Sequence, residues 1–447
     1  MKRVLFLAYH FPPTGGAGVQ RSVKFVRYLN ELGWQAVVVT GPGTTGSRWT
    51  PPDETLAAEV PASTPVLRVP STPPTASRWR RRADRWLGTT TPFGRWWIDG
   101  AVEAGRGQNV DLVYASMSPY ESAEAAARLS AELGRPWVAD LRDPWALDEM
   151  IVYPSRLHRA RDLRRMRRLL ADADAVVMNT REAAARLRRY PEFAQRELAV
   201  IPNGFDANDF TGPPPERRDG AFRIVHAGYL HTELGKRERS SRLLRRVLGG
   251  ALLPVDILTR SHVFLLEAVD RVLREGVAVE VHLAGVVSDV DREVVGGRPY
   301  VHFHGYLDHS GTVSLLRSAD LLFLPMHDLP HGVRAGIVPG KTYDYLGSRR
   351  PILAAVPDGD VRDLLGRAGN AFVTRPSDVD GMAEVIREQA AAKVAGTPPR
   401  LPAEDVLRAC ERKTLTRQLV DVFEGLSAPS AERTPAARTT LRGIRPV

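Results

Sequence analysis

One cysteine, Cys410, stands in a chain of 447 residues. A lone thiol excludes an internal disulfide framework and fits a reducing compartment. No apolar run reaches the roughly 20 residues a membrane-spanning helix needs. The N-terminus also lacks an apolar signal segment before a cleavage site, so a cytoplasmic protein is expected. Metal-ligand spacing is missing as well, and no metal is expected. The D-x-D matches Asp172–Asp174, Asp289–Asp291 and Asp378–Asp380 fall before a strand or at helix starts, where acids cap. His302 and His304 share one face of a strand, a spacing read as packing rather than ligation.

What is present is the composition of a globular protein, 43% apolar and 26% charged. The length suits two domains, each with its own core. A net charge of +10 favours anionic partners. The arginines are dispersed and form no recognisable nucleic-acid module, so nucleic acid is not expected.

Along the first half, continuous apolar runs at "RVLFLA", "QAVVVT", "DLVYAS", "PWVADL", "DAVVMN" and "LAVIPN" alternate with helical patterns at Val19–Leu32, Tyr120–Leu133, Ser155–Ala171 and Thr180–Tyr190. A second series has strands at "FRIVHAG", "VEVHLAG", "VHFHG", "DLLFLP", "PILAAV" and "AFVT". Its helices are expected at Ser261–Arg274, Ser310–Ser318, Lys341–Gly347 and Ser377–Ala392. Such alternation predicts an α/β protein with two doubly wound parallel sheets, whose ligands bind outside the carboxyl ends of the strands. The expected division is 1–210 for the first domain, 211–220 for a proline-rich linker, 221–400 for the second domain, 401–427 for a C-terminal helix and 428–447 for a disordered tail. Residues 42–98 form an insertion rich in Trp, Arg and Pro.

"HFPPTGGAGVQR" (His10 to Arg21) joins the first strand to the first helix. Its glycines do not spell the dinucleotide fingerprint, and the second strand ends in Thr40 and Gly41 rather than an acid for a ribose. An anion-binding loop is present without its ribose carboxylate.

"VIPNGFDANDF" (Val200 to Phe210) resembles the strand and interdomain turn of glycosyltransferase family 4, the retaining transferases of two-domain GT-B fold. "PPTGGAGVQR", "VADLRDPW", "TRSHVFLLEAV" and "HGVRAGIVPGKTYDYLGSRRPIL" match the family in the expected order over nearly the whole chain. The resemblance implies two Rossmann-like domains facing a cleft and a nucleoside-diphosphate-sugar donor held mainly by the second. It implies a glycan, lipid-linked or small-molecule hydroxyl acceptor at the first domain, and no cofactor.

Residue by residue, the family's ribose-binding acid falls on Asp344. The phosphate-side loop falls on Gly336, Ile337 and Val338, followed by Lys341. A further phosphate-gripping cation falls on Arg260, and Lys236 or Arg237 stands nearest the family's arginine. Gly15, Gly16, Gly18 and Arg21 would face donor phosphate or acceptor from the other side. Ser116 and Ser118 stand where the family often has a histidine, leaving Asp143 as the candidate acceptor-side acid, with Asp140 and Arg142 beside it. The family's paired-acid motif is shortened, its first acid replaced by Gly336. Alternatives are an epimerase of the same fold or a catalytically silent carbohydrate-binding partner. The basic, Trp-bearing insertion suits peripheral contact with a membrane carrying a lipid-linked acceptor; an acceptor lid of salt-bridged helices is the favoured reading.

Overall fold

The computed structural model describes residues 1–43, 52–70, 74, 75, 77, 79, 84, 90–217, 220–240, 248–250 and 253–427. Among the described residues, thirteen strands form two sheets in which every pairing is parallel. The first holds β1 (Lys2–Leu7), β2 (Trp34–Thr40), β3 (Val66–Arg68), β4 (Leu112–Ser116), β5 (Trp137–Leu141), β6 (Ala175–Met178) and β7 (Ala199–Val200). The second holds β8 (Phe222–Ala227), β9 (Val279–Ala284), β10 (Val301–Gly305), β11 (Leu321–Pro325), β12 (Ile352–Ala355) and β13 (Ala371–Thr374). Their orders are β3-β2-β1-β4-β5-β6-β7 and β10-β9-β8-β11-β12-β13. Each order reverses once, beside β1 and β4 in one sheet and β8 and β11 in the other. The loops that follow these strands are therefore where a ligand is received.

All twelve strands expected from apolar runs form, because strands covered on both faces read as unbroken hydrophobic segments. Val4, Leu5, Phe6 and Leu7 of β1 are fully buried. The structure adds β3 inside the supposed insertion, where it extends the first sheet beyond β2. The insertion's tryptophans also divide. Trp97 lies on the helix Pro92–Gly105, fully buried, and donates its indole N–H to Ser122 Oγ at 3.0 Å. Trp96 packs against the same core, whereas Trp79 is exposed. Trp49, Trp86 and most of "RWRRRADRW" lie outside the described residues. On the helix Arg156–Asp172, Arg167 pairs with Glu192 and Arg165 faces Glu121 and Glu124.

The expected C-terminal helix is two helices. Glu404–Cys410 packs with the core of the second domain, and Arg412–Ser427 returns to the first. Extended Glu411 (ψ 134°) separates them. Leu415, Leu419 and Phe423 are buried in the first-domain core, where Phe423 meets Trp34 edge-on at 5.1 Å. The chain thus crosses between domains twice at one place. Phe205 N–H donates to Cys410 O at 3.0 Å, and Arg412 N–H donates to Phe205 O at 2.8 Å. This crossing explains the glycine of "IPNG": Gly204 has φ 66°, and a Cβ there would run into Leu415 and the Cys410 carbonyl.

Candidate functional site

The loop after β1 is tight because Gly16 takes φ 97° to enter the helix Ala17–Glu31. That helix has no side-chain cap and no acid in its first turn. Gly18 lies under the guanidinium of Arg142, which donates to the Gly18 carbonyl at 2.6 Å; any Cβ at 18 would occupy the guanidinium's position. His10 stands close by, and burial, with Arg142 second, lowers its pKa to about 4.

Arg21 does not reach the cleft. It is 1% exposed and grips both oxygens of Asp140 at 2.8 Å, while donating to the carbonyls of Ile201 and Pro202. Tyr114 donates to the same carboxylate. Arg21 and Asp140 therefore fasten the first helix to β5 and to the segment after β7. Removing one partner of such a buried pair typically costs about 3–5 kcal/mol.

The loop after β5 carries acids of three kinds. Asp143 is half-exposed, 3.7 Å from Arg142 Nε. Asp148 accepts the Met150 N–H at 2.7 Å, and burial, then the neighbouring Glu149 charge, push its pKa up to about 7. Glu149 is fully buried. Burial raises its pKa, but the hydrogen bond from His327 and the charge of Arg186 more than offset that and hold it at about 2.

Glu149 joins the two domains. Its Oε1 accepts the backbone N–H of Gly336 at 3.0 Å and lies 3.1 Å from His327 Nε2; its Oε2 pairs with Arg186 Nη1 at 2.5 Å. Arg186 reaches on to the Arg334 carbonyl at 2.6 Å, and Thr180 Oγ1 donates to the Gly336 carbonyl at 2.7 Å. The amide of Gly336 is therefore occupied, which corrects its assignment to a donor phosphate. Ile337 and Val338 follow, 6% and 4% exposed, and their amides make no hydrogen bond among the described residues. The helix Lys341–Gly347 has only seven residues, so its dipole adds little.

Two cations meet at the end of β8. Lys341 Nζ lies 3.1 Å from His226 Nε2 and passes over Gly228, where a Cβ would come within 2.8 Å of it. Arg260 donates to the sulfur of Met150 at 2.8 Å. Neither forms an ion pair with a described carboxylate. Burial, then the charge of Arg260, pulls the Lys341 pKa well below its usual value. Burial likewise lowers Arg260, and burial with both cations lowers His231 to about 2. Asp148, Asp143 and Glu149 partly counter the lowering of Arg260. Lys236 and Arg237 do not join these cations: both are exposed, and Lys236 pairs with Glu293.

Asp344 accepts no side-chain hydrogen bond among the described residues. Burial pushes its pKa up to about 6, partly countered by His309 and Arg412. Nearby, Glu59, Asp206 and Asp209 gather as a cation site would, but Lys24 Nζ fills their centre at 2.5–2.9 Å. The D-x-D acids serve locally. Asp174 accepts the Trp137 N–H, Asp291 closes a capping box with Ser288, and Asp378 caps the helix Val379–Val394.

Residues 15–204 match the model of the glycosyl transferase 4-like domain, and residues 257–391 match that of glycosyl transferases group 1. The chain belongs to the family 4-like glycosyltransferases. Solved structures agree in fold. Anabaena Alr3699/HepE, in complex with UDP and glucose, aligns at 17% identity and TM-score 0.58, covering 95% of this chain and 100% of its own. Sucrose-phosphate synthase from Thermosynechococcus elongatus aligns at 13% and TM-score 0.63, covering 95% and 99%. A putative UDP-N-acetylglucosamine 2-epimerase from Listeria monocytogenes shares the fold at 12% and TM-score 0.55, covering 95% and 96%. A search of curated proteins found no match.

In this glycosyltransferase the loops around Gly16, Asp143, Arg260 and Lys341 all follow carboxyl ends of strands. Sequence reasoning missed Glu149, Asp148, His10, His226 and His231. His226 and His231 were legible as "VHAGYLH" at the end of β8, beside the switch in strand order, and His10 opens the quoted glycine-loop stretch. Glu149 carried no such signal.

Proposed function

We propose that the enzyme transfers a sugar from a nucleoside-diphosphate donor to a hydroxyl acceptor with retention of configuration. The observation that carries this reading is the pair Arg260 and Lys341, two half-buried cations at the end of β8, neither of them in an ion pair with a described carboxylate. A diphosphate placed there would compensate both charges and offset the burial that lowers both pKa values, and the Arg260 charge that lowers Lys341 further. Asp344, desolvated and accepting no side-chain hydrogen bond among the described residues, is suited to accept the two hydroxyls of a ribose.

In the proposed reaction the bond from the sugar C1 to the diphosphate oxygen breaks as C1 bonds to the acceptor oxygen on the same face. The acceptor proton passes to the departing phosphate. Arg260 and Lys341 stabilise the charge that develops on the leaving group, and the Gly16 loop with Arg142 closes the opposite wall. Asp143, beside Arg142, is the acceptor-facing carboxylate in this reading. The donor is a substrate, and no cofactor enters the scheme. The acceptor is a glycan, a lipid-linked sugar or a small molecule. No described helix is long and apolar enough to cross a membrane.

An epimerase of this fold would convert the donor without an acceptor. Proton NMR of donor incubated alone and with candidate acceptors separates the two. A product that requires acceptor and keeps the donor's anomeric configuration supports transfer with retention. A new sugar epimer from donor alone contradicts it.

A further inference from the structure

The two histidines of β10 have company that the sequence does not reveal. β9 and β10 run parallel with His282 opposite His302, so Glu280, His282, His302 and His304 stand on one face of the sheet's edge. Ligand atoms of Glu280, His282 and His302 all lie within 4.8 Å of one another. Glu280 Oε2 is 3.2 Å from His282 Nε2, and Glu280 Oε1 is 4.0 Å from His302 Nε2. Bonds of roughly 2.0–2.2 Å to a tetrahedral zinc ion set oxygen and nitrogen ligands about 3.3–3.6 Å apart. The observed spacing needs only small side-chain rotations to meet that.

The orientation is also prepared. His282 Nδ1 lies 2.9 Å from His304 Nε2, with the rings stacked at 5.1 Å. In the metal-free protein His282 Nε2–H donates to Glu280 Oε2; with that proton moved to Nδ1, the ring donates to His304 and its Nε2 lone pair is free for an ion. An outer partner of this kind is what fixes the tautomer of a metal-bound imidazole. Arg223, opposite Glu280 on β8, is an opposing charge; its Nη1 is 3.3 Å from Ser318 Oγ. The His302 side chain is 43% exposed and gives an ion a path in.

We propose that Glu280, His282 and His302 bind a zinc-class divalent cation, with His304 as the orienting partner and water in the fourth position. The ion would tie edge strand β10 to β9 and takes no part in the transfer reaction.

The test uses the full chain without a histidine tag, stripped with EDTA and titrated with Zn²⁺ alone by calorimetry. The expected result is one equivalent bound per chain. His302→Ala, at an exposed position where folding is not at stake, should abolish it. His304→Phe should weaken it by about 10–100-fold. Circular dichroism would show that each variant is folded. Absence of a one-equivalent site in the wild type, or unchanged binding by His302→Ala, overturns the proposal.

Discussion

Glu149 in the first domain accepts the backbone N–H of Gly336 in the second at 3.0 Å, across the cleft. The glycine is required by this contact. A Cβ at 336 would stand 2.8 Å from Arg186 Nη1 and 3.3 Å from Glu149 Oε2. Where the family motif places its first acid, this chain has made room for a carboxylate arriving from the other domain. The loop leading to Lys341 is thus held in shape by first-domain residues.

Glu149→Ala should leave the buried Arg186 guanidinium with Glu182 alone, 3.3 Å away, and strip the Gly336 N–H of its acceptor, a loss of up to about 3–5 kcal/mol. Chemical denaturation reads the loss, and the donor KM should rise with it if the loop loosens. The ordinary glutamate pKa lies above the value of about 2 that Glu149 takes in the folded protein. Its stabilising contribution is therefore complete above pH 4.5 and disappears as the pH falls toward 2. A variant as stable as wild type at pH 7 would show that the latch contributes nothing.

Asp344→Ala should weaken nucleoside-diphosphate binding by about 1.5–3 kcal/mol, the worth of a charged acceptor for hydroxyls. Because its pKa is pushed up to about 6, ionisation is complete only above that pH. Affinity in the wild type should accordingly fall as the pH drops through 6, and the variant should lose this dependence. Calorimetry across that range checks both; equal affinities would remove Asp344 from the site.

Arg260→Ala and Lys341→Ala should each lower turnover at saturating donor by about 10²-fold, as loss of a group that stabilises developing charge does. Near-normal turnover in both variants would mean that the leaving group sits elsewhere.

Transfer should survive exhaustive EDTA treatment. Arg260 and Lys341 supply positive charge from within the chain, and Lys24 fills the acid cluster of Glu59, Asp206 and Asp209. Complete loss restored by magnesium or manganese would contradict this.

The strands were legible because parallel, doubly covered strands are continuous apolar runs, and the helix start at Lys341 in the second domain was placed to the residue. β3 escaped because three residues between prolines carry no pattern. The division of 401–427 escaped because the break at Glu411 answers to a contact with Phe205, far away in sequence. Arg21 and Arg142 could not be told apart from sequence: both are cations beside the glycine loop, and only packing turns the first inward to Asp140. Glu149 is one of three acids in its loop, with no pattern to single it out, and its partner lies 187 residues on. Such pairings are set by how the domains meet, which no local period encodes.

The central claim is that Arg260, Lys341 and Asp344 form a nucleoside-diphosphate site. Thermal unfolding of wild type and Arg260→Ala with a panel of nucleoside diphosphates and their sugars tests it most directly. At about a hundred times its dissociation constant, a true donor should add roughly 2.7 kcal/mol of stability to the wild type, and markedly less to the variant at the same concentration. Stabilisation of neither protein by any nucleotide, or equal stabilisation of both, would contradict the account.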